Sequence, residues 1–148
     1  MSTAQDIWNA YKDLLKRSYI ERSFDVWSDL WAENGRLVVK LGSQGPDGYS
    51  EDHYVGREKV VDLFSSSSGR IEIELEDDGP VYEAENAPGS FMVMSEFIAT
   101  ILVSDKRYPN HIVCRISYDP EGRITEFVEY ADPIRRGNFL QALSATGS

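Results

Sequence analysis

Ile71-Glu72-Ile73-Glu74-Leu75-Glu76 alternates apolar and acidic residues without a break. A period of two describes a β-strand with one face in a core and the other in water. The sequence beyond it keeps to the same grammar. Residues 80–87, 91–103, 111–118 and 123–130 read as further strands. Turn-forming runs separate them: Asp77-Asp78-Gly79-Pro80, Ala87-Pro88-Gly89-Ser90, Asp105-Lys106-Arg107-Tyr108-Pro109 and Asp119-Pro120-Glu121-Gly122. The expected product is an antiparallel meander.

On the N-terminal side the period changes. Ser2 or Thr3 can cap a helix whose Ile7, Tyr11, Leu14 and Leu15 recur at helical spacing. Phe24, Trp27, Leu30 and Trp31 predict a second short helix, with Asn34-Gly35 as its stop. Residues 36–41 read as a strand, and the Gly-, Pro- and Ser-rich stretch 42–52 as a loop that could rim a pocket. A third helix is expected over 56–64, burying Val60, Val61, Leu63 and Phe64, and a closing helix over 133–143 with proline in its first turn. Helices first and a meander after them predict an α+β fold in a single domain over 1–148. Long strands in a small sheet twist and curl, and helices on the concave side leave a cone with a mouth.

Charge and cysteine content exclude several roles. The formal net charge is -10, and residues 71–105 contain no lysine or arginine. Such a surface repels phosphate backbones, so nucleic acid is not an expected partner. No apolar run reaches the ~18 residues of a membrane helix, and Met1 to Asp6 lacks the pattern of a secretion signal. The lone cysteine, Cys114, permits no internal disulfide and suits a reducing compartment, so a cytoplasmic location is expected. It alternates with Ile112 and Ile116 as a core thiol would. Asp77-Asp78-Gly79 lacks the further spacing of a calcium loop, and His53, His111 and Cys114 have no ligand spacing. No metal is expected.

Several stretches resemble one family. Trp31-Ala32-Glu33-Asn34-Gly35-Arg36-Leu37-Val38 is similar to the helix-to-strand entry of the SnoaL-like superfamily, which shares the nuclear transport factor 2 cone fold. Tyr54-Val55-Gly56-Arg57-Glu58-Lys59-Val60 resembles the start of its third helix. Pro109-Asn110-His111, Gly122-Arg123-Ile124 and Glu129-Tyr130-Ala131-Asp132-Pro133, with Leu140-Gln141-Ala142-Leu143, resemble the last strands and end of the phenazine-biosynthesis A/B proteins. The resemblance implies a curved, mixed sheet, no cofactor, a homodimer, and acid–base chemistry on a small hydrophobic or aromatic molecule. Fold alone does not decide among isomerase, cyclase, epoxide hydrolase and non-catalytic binding module.

The same resemblance turns the Thr125, Phe127 and Glu129 face of the last strand toward the pocket and gives Glu129 the role of general acid. A carboxyl in an apolar cone has a raised pKa and can exchange a proton near neutrality. The alternative is a rim glutamate paired with Arg36, Arg115 or Arg123. Asp132 matches the acid–base residue of the polyketide cyclases, but preceding Pro133 it can equally cap the closing helix. His53, beside Glu51 and Asp52, is a proton relay at the mouth or a surface histidine. The steroid-isomerase pattern is incomplete, because its aspartate falls near Lys40, although Tyr11 sits near its tyrosine. Trp27, Trp31, Tyr54, Phe127, Tyr11 and Arg115 complete the expected substrate-binding set.

Overall fold

The computed structural model describes residues 3–40 and 51–146. Helix α1 (Ala4–Glu21) starts on a capping box in which Thr3 Oγ accepts from Asp6 N–H and the Asp6 carboxylate accepts from Thr3 N–H, each at 3.1 Å. Ile7, Trp8, Tyr11, Leu14, Leu15 and Tyr19 form its buried stripe.

The expected second helix is not formed. A 3-10 helix, Asp25–Asp29, takes its place without a side-chain cap, and strand β1 (Trp31–Lys40) already begins at Trp31. The reason is non-local: Ile124 N–H donates to the Leu30 carbonyl at 2.7 Å. A distant strand takes the backbone group a helix would have used, and Asn34 and Gly35 lie inside β1. Strand β2 (Glu51–Val55) follows. It takes Glu51 and Asp52 from the expected loop, whose remainder lies outside the described residues.

After α2 (Arg57–Ser65) come β3 (Ile71–Glu76), β4 (Tyr82–Glu83), β5 (Ser90–Ile101), β6 (Lys106–Tyr118) and β7 (Ile124–Ala131), then α3 (Pro133–Ala145). The strand expected over 80–87 shrinks to two residues. The turn expected at 105–109 lies earlier. Asp105 takes the left-handed φ of 58°, and Lys106 to Pro109 already pair with β5. Proline is tolerated there because β7 meets β6 only from Ile112 onward, which leaves Pro109 on an edge.

Among the described residues the sheet order is β2-β1-β7-β6-β5-β3, with β4 also on β5. All pairings are antiparallel except β1 with β7. Buried residues from β1, β3, β5, β6 and β7 join the α1 stripe in one core cluster. A sheet whose distant strands all meet one helix must curl around it, and the result is an α+β roll, open rather than closed. An ion pair between Lys12 and Asp78 ties α1 to the turn after β3, and Ser95 donates to the same carboxylate at 2.8 Å.

The β1–β7 register slips between Trp31 and Arg36. Gly35 lies in that slip, where a Cβ would stand 2.7 Å from the Ile124 carbonyl oxygen and 3.0 Å from that of Ala32. Both are backbone atoms and cannot swing away. Gly35→Ala is expected to cost about 2 kcal/mol or more of unfolding free energy, read as a lower urea midpoint. An unchanged midpoint would show that the slip can relax.

Candidate functional site

Cross-strand register builds the inner wall in rows. Asp52, Val39, Glu129, Cys114 and Val93 lie opposite one another across five strands, and the neighbouring inner row runs Tyr54, Leu37, Phe127, Ile116 and Phe91. Because side chains alternate, the row between them points outward: His53, Val38, Val128, Arg115 and Met92.

A cavity of about 210 Å3 lies against the inner wall. Leu37, Val39, Ile71, Ile73, Phe97 and Ile112 give it an apolar surface, and Leu63 and Phe64 of α2 form one side. Phe139, Leu140 and Leu143 of α3 lie over it, although α3 has no fully buried residue. Hydrogen bonds fasten both ends of that helix, and Phe139 packs on the Tyr108 ring between them. Asp132 caps α3 by accepting from Ile134 N–H at 2.9 Å and Arg135 N–H at 3.2 Å. Asn110 donates to the Asp132 carbonyl and accepts from its N–H, both at 3.1 Å. At the other end Arg70 donates to the Leu143 carbonyl at 2.9 Å.

Glu129 borders this cavity. It keeps partial solvent access through the cavity while protein surrounds it otherwise. Among the described residues no hydrogen bond reaches its carboxyl. Burial raises its pKa to about 7, and the Arg136 guanidinium pulls partly the other way. Arg136 pairs with Asp52 at 3.6 Å, so it stands between a carboxylate of β2 and one of β7. Tyr11 and Cys114 feel the same carboxyl. Burial, with Glu129 as the next contribution, raises both well above their ordinary values.

The arginines that could have neutralised Glu129 are engaged elsewhere. Arg36 and Arg115 pair with Glu126, and Arg123 with Glu121. Arg115 therefore lies on the outer face, not in the cavity. His53 is outward too, half exposed and 2.9 Å from Glu51. Lys40 pairs with Glu51 at 3.3 Å on that face. The Asp132 side chain is spent on the helix cap.

Trp27, Trp31, Phe127 and Tyr11 do not border the cavity. They form a packed aromatic layer with Trp27 on Trp31 at 6.2 Å and Tyr11 on Phe127 at 4.8 Å between ring centroids. Trp27 Nε1 donates to Ser18 Oγ at 2.8 Å. Tyr54 is half-buried. Burial raises its pKa, Asp52 adds to that, and Arg136 opposes it. Sequence reading missed Tyr19, Ser67, Asn110, Arg136 and Phe139, all on the cavity wall, while Phe97, one of the aromatic residues available to line a pocket, does border it. Asn110 could have been found, since it continues an inward alternation.

No family model matches the chain, and no curated protein does. Solved structures do. A phenazine biosynthesis-related protein from Pseudomonas aeruginosa is 19% identical, with a TM-score of 0.67 over 95% of this chain and 84% of its own. An epoxide hydrolase/cyclase-like enzyme of pyran ring formation in the polyether salinomycin is 16% identical, with a TM-score of 0.65 over 88% and 92%. A nuclear transport factor 2-like protein from Burkholderia xenovorans is 13% identical, with a TM-score of 0.64 over 92% and 96%. With a curved mixed sheet wrapped on α1 and these neighbours, the chain has the nuclear transport factor 2-like fold.

Proposed function

We propose that the protein is a cofactor-independent acid–base enzyme of the isomerase or cyclase type, acting on a small hydrophobic molecule held against Glu129. One observation carries this reading: a carboxyl with no hydrogen bond among the described residues, with a pKa of about 7, on the wall of an apolar cavity. At neutral pH such a group is present in both protonation states and can take a proton from one carbon and return it to another. The neighbouring salinomycin cyclase-like enzyme has a compatible chemistry in its name. The single-domain and cytoplasmic readings belong to the same proposal.

The reaction is testable on a model ketone. In D2O, 2-tetralone should exchange its α-hydrogens: the Glu129 carboxylate removes a proton, the acid so formed trades it for a deuteron with D2O, and the deuterated acid returns that deuteron to the enolate. Glu129→Gln should slow this exchange at least about a hundredfold, followed by proton NMR. Binding without exchange would instead support a non-catalytic ligand-binding module. A water-activating reading is favoured by the Asp52–Arg136 pair beside Glu129. Opening of styrene oxide that is lost in Asp52→Asn would select it.

Titration of Glu129 also links to folding. Its folded pKa lies above the ordinary 4.5, so between pH 4.5 and about 7 the native state holds a proton that the unfolded chain has released. Stability from this group is therefore full below pH 4.5, falls as pH rises to about 7, and is flat beyond. Relative to wild type, Glu129→Gln should gain up to roughly 3 kcal/mol between pH 5 and pH 8 in urea unfolding. Parallel pH curves for the two proteins would contradict the raised pKa.

The proposed partner is a second copy on the outer face of the sheet. Tyr82, Met92 and Met94 stand exposed there, with the Arg36–Glu126–Arg115 charges beside them. Met92→Glu with Met94→Glu should convert a dimer to a monomer in sedimentation velocity. A wild-type monomer at 100 μM would remove the dimer from this proposal.

A further inference from the structure

The flank of the cavity away from Glu129 carries a second polar group. Tyr19, near the end of α1, and Ser67, just past α2, both border the cavity, as does Phe64. Tyr19 Oη donates to the Phe64 carbonyl at 2.7 Å, and Ser67 Oγ donates to the same oxygen at 3.1 Å. The two hydroxyls are also 3.1 Å apart. Two hydroxyl protons serve this triangle, and with both donated to the Phe64 carbonyl, as these distances allow, both stay inside it. What remains for the cavity is lone pairs. Burial pushes the Tyr19 pKa up to about 12, so the phenol stays neutral. Elsewhere on the wall, Asn110 gives one N–H to the Asp132 carbonyl and accepts from its N–H, and the donor-bearing Arg135 and Arg136 lie on the α3 side.

We infer that Tyr19 and Ser67 form an acceptor-only subsite that selects ligands carrying an O–H or N–H donor on the flank opposite Glu129. This inference rests on the reading of the cavity as a ligand site, and it narrows the substrate class to a compact apolar body bearing a hydroxyl or amine. A molecule with only an ether or carbonyl oxygen there would set lone pair against lone pair. A bare hydrocarbon would leave the acceptors dry and unpaired.

Three probes of similar shape separate these cases: 2-naphthol, 2-methoxynaphthalene and naphthalene, titrated calorimetrically at pH 5.5. At that pH Glu129 is protonated and does not compete as a carboxylate acceptor. The naphthol should bind about tenfold tighter than the methyl ether, although the ether is the more hydrophobic. Tyr19→Phe with Ser67→Ala should abolish that preference and tighten naphthalene binding, since no acceptor is then left dry. Equal affinities for the first two probes in the wild type, or no binding of any, would overturn the subsite. So would a preference that survives the double variant and disappears in Glu129→Gln. The probes transfer no proton, so failure here leaves the Glu129 titration as it stands. Were the Glu129 carboxyl to titrate near 4.5, it would be ionised at pH 5.5, and the probe ratio would then be read in Glu129→Gln, where that acceptor is absent.

Discussion

The parallel pairing of β1 with β7 is the constraint from which the rest of the architecture follows. It sets the first strand of the chain beside the last, with Val39 opposite Glu129 and Leu37 opposite Phe127. An antiparallel meander ending at β7 would leave that strand on an edge, where a glutamate reaches water. With β1 on one side and β6 on the other, Glu129 lies between Val39 and Cys114 in a wall that curls over α1. Burial of the carboxyl, its raised pKa and the enclosure of the cavity all derive from that one neighbour. The cost of burying an acid is borne by the packing of the whole roll.

The two faces of the sheet have separate electrostatics. Outside, Arg36, Arg115, Lys40, Glu51, Glu126 and His53 balance one another in pairs at the surface, where such contacts are worth little. Inside, the Glu129 carboxyl and the nearby Asp52–Arg136 pair act across an apolar surface, where each charge counts for more. The same strands supply both sets by simple alternation, so a single-residue slip of register would exchange them. The bulge around Gly35 holds that register, and this is why a close backbone approach that does not line the cavity bears on its chemistry.

Much of this was legible in the residues. The alternation of Ile71 to Glu76 and the turns after it are local signals, and the strands followed them. Alternation puts Glu129 on one face with Phe127, and the family resemblance, not the pattern, implies that this face turns inward. Trp31 was not legible. The spacing of Trp27, Leu30 and Trp31 suits a helix and equally suits a 3-10 turn running into a strand, and the deciding hydrogen bond comes from Ile124, far along the chain. His53 failed for a similar reason: its facing depends on β1–β2 register across a connection that no local pattern describes. Arg136 and Phe139 were missed because α3 carries a weak apolar stripe, and its place over the cavity is set by Asn110 and Arg70 from other elements.

Helix α3 is fastened at its two ends and has no buried residue between them, while Phe139, Leu140 and Leu143 face the cavity. Any molecule that fills that cavity becomes part of the surface on which the helix rests. Occupancy and helix docking are then one equilibrium counted twice: a tight guest firms the helix, and a firmer helix slows the guest's departure. Residence time in this protein would be governed as much by the strength of two end-fastenings as by the contacts of the guest itself.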